Sequence, residues 1–205
     1  ETLDITNKYK DKRILEMALE QLSMIYFSEQ DVLKSATKES LLQQTNSFID
    51  FCRENKCCND EISSLDILRN DLVHNLLNQP FMPSHNDFER RNLMMFEERL
   101  FVIDFQDLNI GPIGIDLASI LFEHSFEYPK TLIDDLLKKH LKDNGLNTSS
   151  AELKNMIMYA LAHRSMRIVG TFNKYFKEGK LLNRKPDLYK FLNRIHLALP
   201  FLKKD

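Results

Sequence analysis

Three side chains in the middle of the sequence have the types and the spacing that phosphoryl transfer requires. Asp87 is followed after four residues by Asn92, and the apolar run 100–103 then leads to Asp104. In enzymes that transfer phosphoryl groups, one carboxylate accepts the proton of the attacking hydroxyl. An amide oxygen and a second carboxylate hold Mg²⁺ on the nucleotide phosphates. The ordered set therefore predicts Asp87 as the base and Asn92 and Asp104 as metal ligands.

Each of these residues also has an ordinary structural interpretation. Asp87 and Asn92 could stabilise turns, and Asp104 could cap the end of a strand. The joint spacing favours the catalytic interpretation, because apolar runs at 93–96 and 100–103 predict a β-hairpin, although without the favoured Asn-Gly turn. A hairpin brings its two ends together, with Asp104 on the returning strand. Ligands that are all oxygen atoms favour Mg²⁺ over zinc.

Four further residues are candidates for supporting roles. His85 lies two residues before Asp87, where we expect it to stabilise the loop through a hydrogen bond rather than to transfer a proton. Asp116 is either the N-cap of a helix or a buried acceptor that stabilises the catalytic loop, and the two roles are compatible. Arg164 and Arg167 share one face of a predicted helix, which either pairs with other charges or receives a phosphate or anionic substrate group.

The rest of the chain has the period of amphipathic helices. Before the site, apolar residues recur at helical spacing over residues 14–26, 41–52 and 65–76. Ser63 or Ser64 is the expected N-cap of the third of these helices. Pro80 and Pro83 then exclude a helix and predict an extended segment that leads into the catalytic loop.

After the hairpin, the Gly-Pro sequence at 111–112 indicates a loop, and a short helix begins at Asp116 or its neighbour. Three further helices are predicted at 130–142, 151–176 and 187–199. The expected fold class is therefore mainly α, with one small β-hairpin that carries the catalytic and metal residues.

The composition excludes several classes of protein. The net charge of −2 gives no basic field for nucleic acid, and no apolar stretch reaches the length of a membrane span. The first residues are polar, so we expect no signal peptide. The odd number of cysteines, Cys52, Cys57 and Cys58, favours a reducing compartment, and we expect a cytoplasmic protein. A zinc site at these cysteines is disfavoured because it would require four ligands.

These motifs together resemble the aminoglycoside phosphotransferase and choline kinase family, which has a protein-kinase-like fold. The resemblance covers residues 83–176 in detail, and four segments carry it: His85-x-Asp87-x4-Asn92, Val-Ile-Asp-Phe-Gln-Asp at 102–107, Gly-Pro at 111–112 with Asp116-Leu-Ala-Ser-Ile-Leu, and Arg164-x-x-Arg167-x-x-Gly170-x-Phe172. Within the family, the motifs are most similar to bacterial anomeric kinases of N-acetylmuramate and N-acetylglucosamine.

The resemblance implies a kinase that moves the γ-phosphoryl group of ATP to a hydroxyl of a small molecule. A sugar or amino sugar is the expected acceptor, with choline or an aminoglycoside as alternatives. It implies Asp87 as the catalytic base, Asn92 and Asp104 as Mg²⁺ ligands, and His85 and Asp116 as residues that stabilise the loop.

One departure concerns the catalytic loop itself. Many members of the family have an aromatic residue and a histidine after the catalytic aspartate, where this sequence has Phe88 and Glu89. Glu89 is therefore a candidate contact to substrate or phosphate, as are Arg164 and Arg167. Other substrate contacts are expected from the variable segments 123–128 and 159–167.

A second departure concerns the nucleotide. Nothing before Pro80 matches the N-terminal lobe of the family, which supplies a β-sheet, a nucleotide-covering loop and a phosphate-binding lysine. We therefore interpret residues 1–205 as the C-terminal lobe alone, from a truncated or processed protein, and the first residue, Glu1, agrees with this interpretation. The lobe by itself is expected to be inactive. The alternatives are a non-catalytic kinase-like binding module or, with the motif order arising by chance, an unrelated helical scaffold.

Overall fold

A computed structural model describes residues 12–122 and 127–202, and the secondary structure within them is mostly helical. The elements in chain order are α1 (Lys12–Tyr26), α2 (Lys38–Gln44), α3 (Asn46–Glu54), α4 (Asn59–Leu77), β1 (Phe81–Ser84), β2 (Leu93–Phe96), β3 (Arg99–Val102), β4 (Asn109–Pro112), α5 (Gly114–Leu121), α6 (Lys130–Asp143), α7 (Ser150–Lys177) and α8 (Asp187–Leu202). The prediction of a mainly α fold with one small hairpin is confirmed.

These elements form two compact units. Among the described residues, the first unit contains 12–35 and 80–157, and the second contains 36–79 and 158–202. In the described ranges, no helix combines the length and the apolar character that crossing a bilayer would need. That residues 1–205 constitute one lobe of a longer protein stays a prediction.

Helix α1 is the centre of the first unit. Six of its residues recur at helical spacing and are buried, whereas Met24 is exposed, and the helix packs on β1, β3, α5 and α6. Strand β1 pairs with β4 in antiparallel register from Phe81–Pro112 to Ser84–Asn109. This pairing corrects one prediction, because the Gly-Pro segment at 111–112 lies at the end of a strand rather than in a loop.

The predicted hairpin is formed by β2 and β3, which pair from Leu93–Val102 to Phe96–Arg99. The two residues between the strands, Glu97 and Glu98, have φ values of 45° and 61°. Two left-handed residues are the signature of a type I′ turn, which matches the twist of the strands. The sequence therefore forms the favoured turn geometry with glutamates in place of Asn-Gly.

The second unit has a core to which α3, α4, α7 and α8 all contribute, including Phe48, Leu72, Met166 and Phe191. A Cβ atom on Gly170 of α7 would lie 2.6 Å from the backbone nitrogen of Phe48, so glycine permits the close approach of α3.

The corner between α2 and α3 is fixed by a buried guanidinium. Arg69 donates to the carbonyl oxygen of Leu42 at 2.8 Å, to Thr45 Oγ1 at 3.0 Å and to Asn46 Oδ1 at 2.6 Å. The single helix that the sequence predicts over 41–52 is thus two helices that meet at Thr45.

The predicted N-cap of α4 is also wrong. The helix begins at Asn59, four residues before Ser63, and Cys58 is its N-cap. The backbone N–H of Cys58 donates to Glu61 Oε2 at 2.7 Å, which completes a capping box in which a cysteine replaces the usual serine or threonine.

Candidate active site

The candidate catalytic loop, residues 85–92, connects β1 to β2 and is anchored by two buried rings. His85 and Phe88 are both 0% exposed, and their ring centroids lie 6.0 Å apart in an edge-to-face arrangement. Asp87 and Glu89 alternate with these buried residues and are partly exposed. The loop then ends in a 3₁₀ turn, Arg90–Asn92, which leads directly into β2.

Asp87 and Asn92 are in direct contact. Nδ2 of Asn92 donates to the carbonyl oxygen of Asp87 at 2.8 Å and to its carboxylate Oδ2 at 3.3 Å. The backbone N–H of Asn92 also donates to the carbonyl oxygen of Glu89 at 2.9 Å. The five-residue spacing seen in the sequence therefore closes a compact loop in which Asn92 is buried beside the candidate base.

Asp104 lies just beyond the hairpin rather than on its returning strand. Strand β3 ends at Val102, and Asp104 adopts a left-handed conformation with φ 70° and ψ 53°. The backbone N–H of Ile103 donates to the carbonyl oxygen of Asn92 at 2.9 Å. This bond joins the segment that carries Asp104 to the loop that carries Asp87 and Asn92, so the structure brings the two segments together.

The oxygen ligands offered here suit a hard cation whose coordination is completed by phosphate oxygens. Because Nδ2 of Asn92 donates to Asp87, Oδ1 is the atom of that amide that can bind a cation, and Asp104 offers an exposed carboxylate. In residues 12–122 and 127–202, no three His, Cys, Asp or Glu side chains form a complete metal cluster. Mg²⁺ usually binds one or two carboxylates together with substrate phosphates, and the residues present fit that pattern.

Asp116 accepts hydrogen bonds at the start of the candidate catalytic loop. It lies inside the first turn of α5, not at the N-cap, and is 1% exposed. Its Oδ2 accepts from Ser84 Oγ at 2.9 Å and from the backbone N–H of His85 at 2.7 Å. Burial raises the pKa of Asp116, although the hydrogen bonds from Ser84 and His85 partly oppose that effect. The carboxylate thus fixes the point at which β1 becomes the loop.

His85 connects the loop to the segment before Asp104. Its Nε2 lies 3.0 Å from the carbonyl oxygen of Ile103. A carbonyl oxygen can only accept, so Nε2 carries the hydrogen and the ring acts as a donor. The ring also lies 5.5 Å from that of Phe105, measured between centroids. This geometry agrees with a scaffolding role.

Arg91 is a member of the site that the sequence analysis missed. Its Nη2 lies 2.5 Å from Asp87 Oδ2 and 3.2 Å from Glu89 Oε1. Burial by itself would lower the pKa of Arg91, but Glu89, Asp87 and Asp104 together raise it. Arg91 therefore balances the negative charge of this cluster. The signal in the sequence was an arginine four residues after the candidate base, a spacing at which opposite charges can meet.

Asn86 is a second missed residue, in the position between His85 and Asp87. It is buried and left-handed, with φ 64°, and its Nδ2 donates to the carbonyl oxygen of Asp107 at 2.6 Å. No pattern in the sequence indicated this contact.

Arg164 and Arg167 belong to the part of α7 that lies in the second unit. Arg164 is buried and Arg167 is half-buried. Their predicted contact with substrate or phosphate stays a prediction. Of the two variable segments, residues 123–126 lie outside the described residues, whereas Tyr128 is buried and Tyr159 is half-buried.

Comparison with known proteins identifies relatives of this chain. Residues 35–148, more than half of the chain, match the phosphotransferase enzyme family. An N-acetylmuramate/N-acetylglucosamine kinase of Neisseria meningitidis is 34% identical over 128 residues, which cover 60% of this chain and 38% of that kinase. The chain thus spans well under half the length of this curated relative.

Two solved structures show the fold. The choline kinase LicA of Streptococcus pneumoniae superposes with a TM-score of 0.67 at 16% identity, covering 98% of this chain and 66% of that protein. The structure of the gentamicin complex of APH(2″)-IIa gives a TM-score of 0.61 at 19% identity, covering 100% and 67%. LicA has also been solved in complex with AMP.

Proposed function

The chain belongs to the phosphotransferase enzyme family, and from this membership we propose that the complete protein transfers the γ-phosphoryl group of ATP to a hydroxyl of a small molecule. The observation that carries the proposal is the contact between Asp87 and Asn92, joined to the Asp104 segment by the bond from Ile103 to the carbonyl oxygen of Asn92. These contacts support the proposal, because they bring together the two segments that carry the candidate side chains.

The proposed roles follow from the chemistry of each side chain. Asp87 accepts the proton of the attacking hydroxyl, while Asn92 and Asp104 would hold Mg²⁺, which neutralises charge on the nucleotide phosphates when bound. His85 and Asp116 fix the backbone on either side of the loop. Catalysis would then depend mainly on positioning and on charge, because the transition state of phosphoryl transfer is loose.

A sugar or an amino sugar is the proposed acceptor. The support is the 34% identity to a kinase named for N-acetylmuramate and N-acetylglucosamine. Choline and aminoglycosides are weaker candidates, because the structures that carry those names share only the fold at 16–19% identity. Arg164 and Arg167 remain our candidates for contacts to the acceptor or its phosphate, whereas the ion pair of Glu89 with Arg91 makes Glu89 the weaker candidate.

We also propose that this chain is the C-terminal lobe and that a separate N-terminal lobe provides the nucleotide-covering loop and the phosphate-binding lysine. The support is that the chain covers about two thirds of the two solved kinase-like chains. The three cysteines are free thiols in the structure, which supports the proposed cytoplasmic location.

The test is release of ADP by the complete protein with a panel of sugars and amino sugars, choline and an aminoglycoside. We expect Asp87→Asn to lower kcat by about 10²–10⁴-fold, because the base is lost while the shape is kept. The control is Asp31→Asn, which changes an exposed aspartate of the same unit. An unchanged rate in Asp87→Asn would refute the role of Asp87. Nucleotide-independent binding of a partner, without transfer to any acceptor, would instead favour the non-catalytic module.

A further inference from the structure

Two consecutive residues of the catalytic loop reach the segment that carries Asp104, one on each side of it. His85 Nε2 donates to the carbonyl oxygen of Ile103 at 3.0 Å, directly before Asp104. Asn86 Nδ2 donates to the carbonyl oxygen of Asp107 at 2.6 Å, three residues after it. The same amide nitrogen also lies 3.3 Å from the carbonyl oxygen of Ser84, so it is tied to the end of β1.

Beyond these bonds, the segment is held by the bond from the Ile103 N–H to the carbonyl oxygen of Asn92 and by the contact between the Phe105 and His85 rings. Residues 103–107 are all exposed, with Ile103 at 37% and Phe105 at 51%. Apolar burial therefore contributes little to the position of Asp104. Three hydrogen bonds join the segment to the loop, and the bond from Asn86 is the shortest of them.

The backbone of Asn86 is adapted to this contact. Its φ of 64° is left-handed, a conformation that disfavours most side chains and that asparagine adopts more readily. The side chain is 6% exposed, so its amide is committed to the two carbonyl oxygens rather than to solvent. A residue without a side-chain donor could keep the turn but not the bond to Asp107.

We propose that Asn86 is a positioning residue that sets the Asp104 carboxylate relative to Asn92 and thereby the affinity of the site for a divalent cation with a nucleotide. The inference rests on the proposed function, because it assigns Asn92 and Asp104 to the metal. Asn86 itself contacts neither the cation nor the substrate. It acts through the backbone at Asp107, as residues that orient metal ligands often do.

The experiment compares Asn86→Gly with the wild type in the complete protein. Glycine keeps the left-handed backbone and removes the side chain that carries the donor. Asn86→Asp is the second variant, because it keeps the shape and also lacks the amide donor. Lys56→Gly is the matched control, since Lys56 is an exposed left-handed residue with φ 67° in the second unit.

Two readouts test the inference without an activity assay. The first is hydrogen exchange of the backbone amides in residues 103–108. The second is binding of Mn²⁺ in the presence of ADP, followed by electron paramagnetic resonance. We expect faster exchange and a Kd for Mn²⁺ raised about tenfold in both Asn86 variants, with Lys56→Gly like the wild type.

The outcomes separate this inference from the proposed function. Wild-type exchange or wild-type Mn²⁺ affinity in the Asn86 variants overturns the positioning role, even if the protein is an active kinase. A wild-type protein that binds no Mn²⁺ with ADP overturns the proposed metal site itself, and with it the role of Asn86 toward the cation.

Discussion

At the scale of single residues, the candidate base is not isolated. The carboxylate oxygen Oδ2 of Asp87 accepts hydrogen bonds from Arg91 Nη2 at 2.5 Å and from Asn92 Nδ2 at 3.3 Å. Glu89 shares the same guanidinium, so one arginine links two carboxylates. This arrangement suggests that the glutamate found where the family often has histidine serves chiefly to hold Arg91 in place.

The first prediction separates the role of Arg91, which donates to Asp87, from that of Glu89, which pairs with Arg91. In the complete protein, we expect Arg91→Ala to lower kcat about tenfold, equivalent to about 1.4 kcal/mol, because Asp87 loses a charged donor that orients it. Glu89→Gln should change the KM for the acceptor less than twofold, because Arg91 retains Asp87 as its partner. Steady-state kinetics with the best acceptor of the panel measures both effects.

Arg99→Ala is the matched control for Arg91→Ala, since it removes an exposed arginine from the hairpin that follows Arg91. If Glu89→Gln raised the acceptor KM strongly while kcat stayed constant, Glu89 would be a substrate contact. In that case the ion pair with Arg91 would be secondary.

At the scale of elements, the hairpin that precedes Asp104 has a turn in which glutamates adopt a conformation that disfavours them. Glu97 and Glu98 are both left-handed. That conformation disfavours residues with a Cβ atom other than asparagine and aspartate. Glu98 also pairs with Arg13 at 3.1 Å, but both side chains are highly exposed and such pairs contribute little.

The second prediction concerns the left-handed conformation of the two turn glutamates. Replacing Glu97 with Asn and Glu98 with Gly should raise the free energy of unfolding by about 1–2 kcal/mol, because both residues adopt the turn with less strain. Urea unfolding of the complete protein measures the change. The control replaces both glutamates with glutamine, which removes the same charges and keeps the strained backbone. Equal stabilisation by the control would assign the effect to charge repulsion instead.

The elements also show what local sequence can and cannot predict. The hairpin, β1 and the helices after the site follow from period and from proline positions, which are local properties. The pairing of β1 with β4 and the bonds from Asn86 and His85 join residues 18–31 positions apart, and no local pattern encodes them. Cys58 was missed as an N-cap because cysteine rarely has that role.

At the scale of the whole molecule, each unit contains a buried histidine that is held neutral. His163, in the second unit, donates from Nε2 to the carbonyl oxygen of Leu41 at 2.9 Å. Burial lowers its pKa to about 4, and the charges of Arg167 and Arg69 act in the same direction. Burial also lowers the pKa of His140, in the first unit, to about 4.

The third prediction concerns stability below neutral pH. In the unfolded chain, a histidine binds a proton as the pH falls through about 6.5, whereas the folded protein excludes that proton until about pH 4. Protons therefore favour the unfolded state between these values. The free energy of unfolding should decrease there by up to about 1.4 kcal/mol per pH unit for each histidine.

His163→Gln tests this account, because the glutamine amide can donate to the same carbonyl oxygen of Leu41 without titrating. Urea unfolding of the complete protein at a series of pH values from 8 to 5 should give a shallower slope for the variant below pH 6.5. At pH 8 neither the folded nor the unfolded state protonates this side chain, so any difference there reports only packing and serves as the internal reference. Parallel slopes for variant and wild type would mean that His163 binds its proton equally in both states and that its burial does not exclude the proton.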